Sequence, residues 1–426
     1  MTHPGALIGP STGLLTGGTG GFLNGIRVLD LGSHISAPFC ARLLADYGAD
    51  VIKVEPTAGD AARRAGPFAG DDPHREKSIA FLYVNTNKRG VTLDLAAQAG
   101  KTLLAELIRS SDILVQNLSP DQADDLGLNY GDLAEINPLL VATSITPFGL
   151  TGPYRDLAAT DIVACAISGL MYHSGDSDRE PLRNVLDQSY YVAGINASVA
   201  TLAAIFQRMT TGRGQQVEVS VAECLASHLV QPVPYFNYMG AIKGRRPVRG
   251  SGFEELMPAR DGYVAPSVQG SQPWSTVAEL IGSEALQDQR FATGAGRVEH
   301  GEELKELLIQ GLAQWDRKPL FQASGERRLV FGMAQDSKDL YECPQLRDRG
   351  FFVEVDHPAA GKAEYPGGGP RLSQMDHPTD YPTDYSMGYS VYRPAPLLGQ
   401  HNREIYCGEL GYQPEDLVRL REMNVI

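Results

Sequence analysis

From residue 26 onward the chain alternates short apolar runs with longer amphipathic stretches. Ile26-Arg27-Val28-Leu29-Asp30-Leu31 reads as a strand. Pro38 to Tyr47 is amphipathic with helical spacing, and Pro38 suits a first helical turn. Gly48 ends that helix, and Asp50-Val51-Ile52-Lys53-Val54-Glu55 reads as a second strand. The pattern predicts further strands at 91–95, 112–117 and 139–145, with a helix near 98–109. A long helix follows Asp187, with Val192, Ile195, Val199, Leu202 and Ile205 at three- and four-residue steps. Thr211-Gly212-Arg213-Gly214-Gln215 stops it, and 216–219 resumes as a strand. Strands spaced by helices predict βαβ units and a parallel sheet with right-handed crossovers. Ligands of such sheets sit beyond the carboxyl ends of the strands. The loop after the first strand, Gly32-Ser33-His34-Ile35-Ser36-Ala37, is therefore a candidate site.

The texture changes farther along. Residues 245–349 open on a Gly/Arg-rich stretch, carry one strand near Tyr263-Val264 and continue as helices. They read as a second, smaller α+β domain, joined to the first by a linker at 226–244. The stretch from 356 to 400 is rich in Pro, Gly and Asp with little periodicity, and is expected to wrap over a surface. Residues 1–24 read as a flexible tail. Gly17-Gly18-Thr19-Gly20-Gly21 resembles a phosphate loop, but it precedes the first strand and lacks the third glycine of a dinucleotide fingerprint.

Composition narrows the function. With 42% hydrophobic and 21% charged residues the chain reads as soluble and globular. A formal net charge of -14 argues against nucleic acid as a partner, and an anionic ligand must be held by local donors. Cys40, Cys165, Cys224, Cys343 and Cys407 are widely spaced, with no CxxC, so neither a disulfide framework nor a metal site is expected. Reduced thiols, no secretory signal and no continuous membrane-spanning stretch point to the cytoplasm.

Several segments together resemble the class III CoA-transferases, a family that also includes alpha-methylacyl-CoA racemase. They are Gly25–Leu31, Ala49–Glu55, Asn87-Lys88-Arg89 with Thr92–Leu95, and Asn117 through Pro120 to Gly127. Phe148–Tyr154, Thr211–Gln215 and Leu397-Leu398-Gly399 follow in family order. The resemblance implies a large Rossmann-like domain built from 25–225 and 350–426, and two copies threaded through each other as an interlinked homodimer. It implies acyl-CoA and carboxylic acid substrates, and coenzyme A as substrate rather than as a tightly bound cofactor.

An enzyme carboxylate divides thioester exchange into easier steps. The resemblance assigns that role to Asp187, which attacks the acyl-CoA carbonyl to give a mixed anhydride and then an aspartyl-CoA thioester. Asp187 also stands where a helix N-cap belongs, and the two roles are compatible. By the same resemblance His34, Ile35, Ser36, Ala37, Asn117 and Leu118 form the CoA site. Lys88 and Arg89 either face phosphate or form a solvated pair. Four departures stand out. Asp125 replaces a basic residue expected to meet CoA phosphate. Pro56 replaces another, for which Arg63 or Arg64 is the candidate substitute. Gly250-Ser251-Gly252 stands in place of a longer glycine run. Thr160 replaces the histidine that racemases carry before the residue matching Asp161. The last disfavours racemisation, which needs two acid/base groups. A non-catalytic CoA-binding subunit is the remaining alternative. Tyr235, Phe236 and Tyr238 are candidates for the acyl pocket or for an interface.

Overall fold

The computed structural model describes residues 21–175, 177, 179–245, 256–267, 273–367 and 393–426. The tail glycines 17–20 and Gly250-Ser251-Gly252 lie outside the described residues. The described chain falls into two compact units. One lies within Met1–Gly175, Pro181–Lys243 and Gly350–Ile426, the other within Asp176–Glu180 and Gly244–Arg349.

The larger unit is built on six parallel strands: β1 (Arg27–Asp30), β2 (Asp50–Glu55), β3 (Lys88–Thr92), β4 (Ile113–Gln116), β5 (Val141–Thr146) and β6 (Gln215–Ser220). Their order is β3-β2-β1-β4-β5-β6. The chain moves outward from β1 in one direction, then returns to lay β4 against its other side. The crevice between the carboxyl ends of β1 and β4 is thus the topological switch point.

Both faces of the sheet are covered, so apolar residues stand side by side in the strands, Val28-Leu29 on β1 and Ile113-Leu114-Val115 on β4, rather than alternating. On one face lie α1 (Ser36–Asp46), then α4 (Asp161–Ile167) and α5 (Gln188–Thr211). On the other lie α2 (Gln98–Arg109), α3 (Pro120–Leu126) and the C-terminal α7 (Pro414–Glu422), whose Leu417 and Leu420 join a cluster with Leu29, Ile52 and Leu114. The helix α6 (Pro232–Met239) occupies part of the stretch read as a linker.

The smaller unit has a three-stranded antiparallel sheet of β7 (Met257–Ala259), β8 (Gly262–Ser267) and β9 (Val330–Met333). Trp274, Val277, Leu286, Phe291, Leu304, Leu308 and Leu320 form its core.

Three expectations need correction. The third strand begins at Lys88, not 91, because its first two residues are cations buried by ion pairing rather than by apolarity. The stretch from 356 opens with the antiparallel pair β10 (Phe352–His357) and β11 (Gly361–Pro366). Finally, α5 buries only part of its large apolar stripe: Ile205 is in the core, with Val192 and Leu202 against it. It is long and apolar enough in composition to cross a membrane, yet it packs as a core helix through Ala193, Gly194, Ala197, Ser198 and Ala204. A Cβ on Gly194 would stand 2.8 Å from the Ser36 carbonyl oxygen, so only glycine allows this approach to α1. Ile195 and Val199 face outward instead.

Candidate active site

The loop after β1 is tied down from three sides. Gly32 donates its N–H to Asp30 at 2.9 Å, closing a turn in which a Cβ would lie 2.4 Å from that of Ala37. Asn117, at the end of β4, accepts from the Ser33 N–H at 2.8 Å and donates to the Ser33 carbonyl at 2.8 Å and the Ser36 hydroxyl at 3.0 Å. The third tie comes from beneath. Lys53 on β2 donates to the Gly32 carbonyl and to Asp60 at 3.0 Å. Asp60 in turn accepts from the Ser33 hydroxyl at 2.9 Å and the His34 N–H at 3.1 Å. Burial would raise the Asp60 pKa, but the Lys53 ammonium and the Ala62 and His34 N–H groups outweigh it and hold the carboxyl well below its usual range. Lys53 is raised despite its burial, because Asp30, Asp60 and Glu55 surround it.

The structure therefore brings His34–Ala37 and Asn117 together at the switch point. His34 is exposed, with a left-handed φ of 66°. Ser36 is buried and offers its hydroxyl to Asn117. Ile35 and Ala37 turn their side chains into the core, leaving backbone groups for a ligand. Leu118 is half-buried against the opposite cluster. Ile35, the N-cap of α1, makes no side-chain cap hydrogen bond.

Lys88 and Arg89 do not belong to this site. Lys88 is fully buried and bonds Asp30 at 2.8 Å, the Pro38 carbonyl at 2.7 Å and Asn85 at 2.9 Å. Burial, offset in part by Asp30 and reinforced by Lys53, lowers its pKa to about 8. Arg89 lies near the amino edge of the sheet, where Asp50, Glu404 and Glu409 surround it. Neither faces the crevice at the carboxyl edge, which corrects the expectation that they meet phosphate. Arg63 is likewise committed to Glu55 and Glu76. Arg64 is exposed and donates to the Ala58 carbonyl at 3.3 Å. Asp125 is exposed on α3, and Lys101 reaches its carbonyl at 3.5 Å.

Asp187 occupies the N-cap of α5, but its side chain makes no cap hydrogen bond. Its φ of 52° and the 60° of Leu186 put two successive non-glycine residues in the left-handed region. Such residues each cost on the order of 1–3 kcal/mol and cluster at functional sites. Among the described residues the half-buried carboxylate has no hydrogen-bond partner at the positive end of this 24-residue helix. The capping work is done instead by Asp161, which accepts from the Ser189 N–H at 3.1 Å and hydroxyl at 2.6 Å. One turn along, Tyr190 stacks at a tilt on His34, with ring centroids 6.1 Å apart. The free carboxylate and the switch-point loop thus stand side by side. Burial, Asp161 and Asp187 all push the Tyr190 phenol pKa upward.

A carboxylate near the switch-point loop suits acyl chemistry on a ligand bound there. A family model for CoA-transferase family III matches residues 23–402. The chain belongs to CoA-transferase family III. Among similar members are the succinate–glutarate CoA-transferase of Agrobacterium fabrum, 30% identical over 90% of this chain and 94% of that one, and the succinyl-CoA:glutarate CoA-transferase of Mus musculus, 31% identical over 95% and 90%. The formyl-CoA:oxalate CoA-transferase of Streptomyces avermitilis is 31% identical over 95% and 99%. A crystal structure of a CAIB/BAIF family protein from Brucella suis superposes with a TM-score of 0.81 at 27% identity, covering 91% of this chain and 99% of that one. This family III member is thus an enzyme of the CoA-transferase type, acting on CoA thioesters.

The anchoring roles of three residues escaped the sequence reading. Lys53 carried a signal, since a lysine between Ile52 and Val54 in a strand covered on both faces must be paired. Asp60 and Asp161 carried none, because aspartates are common at turns and helix starts.

Proposed function

We propose that this enzyme moves coenzyme A between dicarboxylic acids through covalent intermediates on Asp187. The observation that carries the reading is the uncapped Asp187 carboxylate, one helical turn from the His34 loop. A carboxylate oxygen attacks the acyl-CoA carbonyl carbon, the C–S bond breaks, and CoA leaves as thiolate, giving a mixed anhydride. The thiolate attacks the Asp187 carbonyl carbon and expels the donor acid as carboxylate. The acceptor carboxylate then attacks the aspartyl-CoA thioester, and the thiolate returns to the new acyl group, restoring Asp187. No net proton is consumed. His34, Ser36 and Asn117, with the backbone of Ile35 and Ala37 and the flank of Leu118, form the CoA cradle in this reading. Dicarboxylic acids are favoured because the similar proteins named for succinate, glutarate and oxalate act on such acids. Racemisation is disfavoured because Thr160 offers no acid/base group.

A second copy of the chain is the proposed partner. On α5, Val199, Phe206 and Met209 are 63%, 72% and 68% exposed, and α6 buries none of its residues. These are apolar faces of the kind that subunits cover. With five free cysteines, the proposed compartment is the cytoplasm.

The test is mass spectrometry of the enzyme quenched after mixing with succinyl-CoA. A CoA adduct is expected on the peptide containing Asp187, removable by hydroxylamine. The Asp187→Asn variant should lose the adduct and fall in transfer rate by roughly four to six orders of magnitude. Near wild-type transfer by that variant would overturn the reading.

A further inference from the structure

We propose that Arg183 receives the non-reacting carboxylate of the dicarboxylic substrate and so sets acid specificity, an inference that rests on Asp187 being the reacting group. The residue lies four positions before Asp187, and its side chain is 46% exposed. It donates through Nη1 to Asp161 at 3.5 Å, the far limit of hydrogen bonding. A guanidinium carries five N–H donors in a planar fork, so this contact orients it without exhausting it. Its other donors have no partner among the described residues.

The anchor matters as much as the cation. Asp161 is buried, and its second oxygen holds the Ser189 N–H and hydroxyl in the first turn of α5. One carboxylate therefore fixes both flanks of the segment that carries Asp187. Between the two groups lie Asn184, Val185 and Leu186, of which Val185 and Leu186 are 70% and 76% exposed. Cation, Asn184, an exposed apolar pair and nucleophile follow one another along the chain. A four- or five-carbon diacid has the matching order of carboxylate, methylenes and reacting carboxyl. Its two carboxyl carbons stand about 4–5 Å apart at ordinary bond lengths.

The electrostatic need is general. A free carboxylate carried into a crevice loses water and must find a charged partner there. Lys53, Lys88, Arg63 and Arg89 are each committed to carboxylates of the protein. Arg183 is bound least tightly, at the longest distance of these pairs.

The experiment compares CoA transfer from succinyl-CoA to glutarate with transfer to valerate, an acid of the same length lacking the second carboxylate. The wild type, Arg183→Ala and Arg183→Lys are assayed, and adduct formation at Asp187 is followed in each. The ratio of kcat/KM for the diacid to that for the monoacid is expected to fall roughly 10- to 150-fold in Arg183→Ala, the loss of a charged hydrogen bond. Arg183→Lys should recover part of it, since the charge remains but the fork does not. An unchanged ratio in Arg183→Ala, or an equal loss on both acids, would overturn the proposal and reduce Arg183 to a strut for Asp161. A wild type that forms the adduct without preferring the diacid would overturn it too, while leaving Asp187 in place. If the wild type forms no adduct, the Asp187 reading falls and takes this one with it.

Discussion

Replacing Asp60 by Ala should cost both stability and CoA-thioester binding, for separable reasons. The Asp60 side chain is 1% exposed and pairs with Lys53, itself 1% exposed, at 3.0 Å. Removing the carboxylate leaves a buried ammonium with Asp30 3.9 Å away. Breaking one side of a buried pair costs about 3–5 kcal/mol, mostly as the penalty of the charge left behind. The N–H groups of His34 and Ala62 lose their acceptor as well. Removing Lys53 too takes away the stranded charge, so the Asp60→Ala, Lys53→Met double variant should regain at least about 1–2 kcal/mol over Asp60→Ala alone. Urea denaturation reads these differences. Steady-state kinetics read the second effect: if the loop proposed to cradle the thioester loosens, KM for the acyl-CoA should rise several-fold while KM for the acceptor acid changes little. A double variant no more stable than the single would show that the ion pair is not the source of the loss. Loss of stability with an unaltered KM for acyl-CoA would separate the loop from the CoA site.

Acid should act on the same pair. Because the folded-state pKa of Asp60 is depressed, its contribution is present in full above the ordinary carboxylate value and is lost as pH falls below about 4 toward the folded value. Asp60→Asn should flatten that part of the stability profile. Lys88 gives a slope of the same sign at higher pH. With its folded-state pKa lowered to about 8 from 10.5, the unfolded chain binds more protons between those values, so stability should rise with pH across that window. In Lys88→Met this rise, followed by thermal melting, should be absent. Asp125→Arg should tighten acyl-CoA binding by a few-fold at low salt and less at high salt, since the position is exposed; a large loss of affinity would reveal a positive role for the acid. Sedimentation at micromolar concentration should give a dimer, and Phe206→Glu on the exposed face of α5 should weaken it; a fully active wild-type monomer would refute the proposed partner.

Much of the larger unit was legible because its rules are local. Runs such as Val51-Ile52 and Ile113-Leu114 read as strands from apolarity alone, and helix 98–109 matched its predicted bounds. The position of the first loop at the switch point was legible because it follows from βαβ topology. Lys88 and Arg89 misled because charge in a sequence reads as solvent exposure. Both are buried, each answered by acids far along the chain, Asp30 in one case and Asp50, Glu404 and Glu409 in the other. Ile195 and Val199 of the stripe on α5 misled because helical spacing reports that an apolar face exists, not how much of it meets the core. Gly194 and its small neighbours decided that, by letting two helices approach to backbone contact.

The amino-acid pattern was enough to establish the α/β alternation, the switch-point loop and Asp187 at the mouth of a long helix. These depend on residues near one another in the chain, whose burial and backbone preferences carry their own periodic signature. Folding added the pairings between distant segments: Lys53 with Asp60 under the loop, Asn117 across the crevice, and Asp161 taking over the capping of α5. That last contact leaves the Asp187 carboxylate free, and no local rule could have assigned it. An aspartate before a helix caps it by default. Here a second carboxylate, 28 residues away in sequence, holds the turn, and the first is left unbonded at the helix mouth.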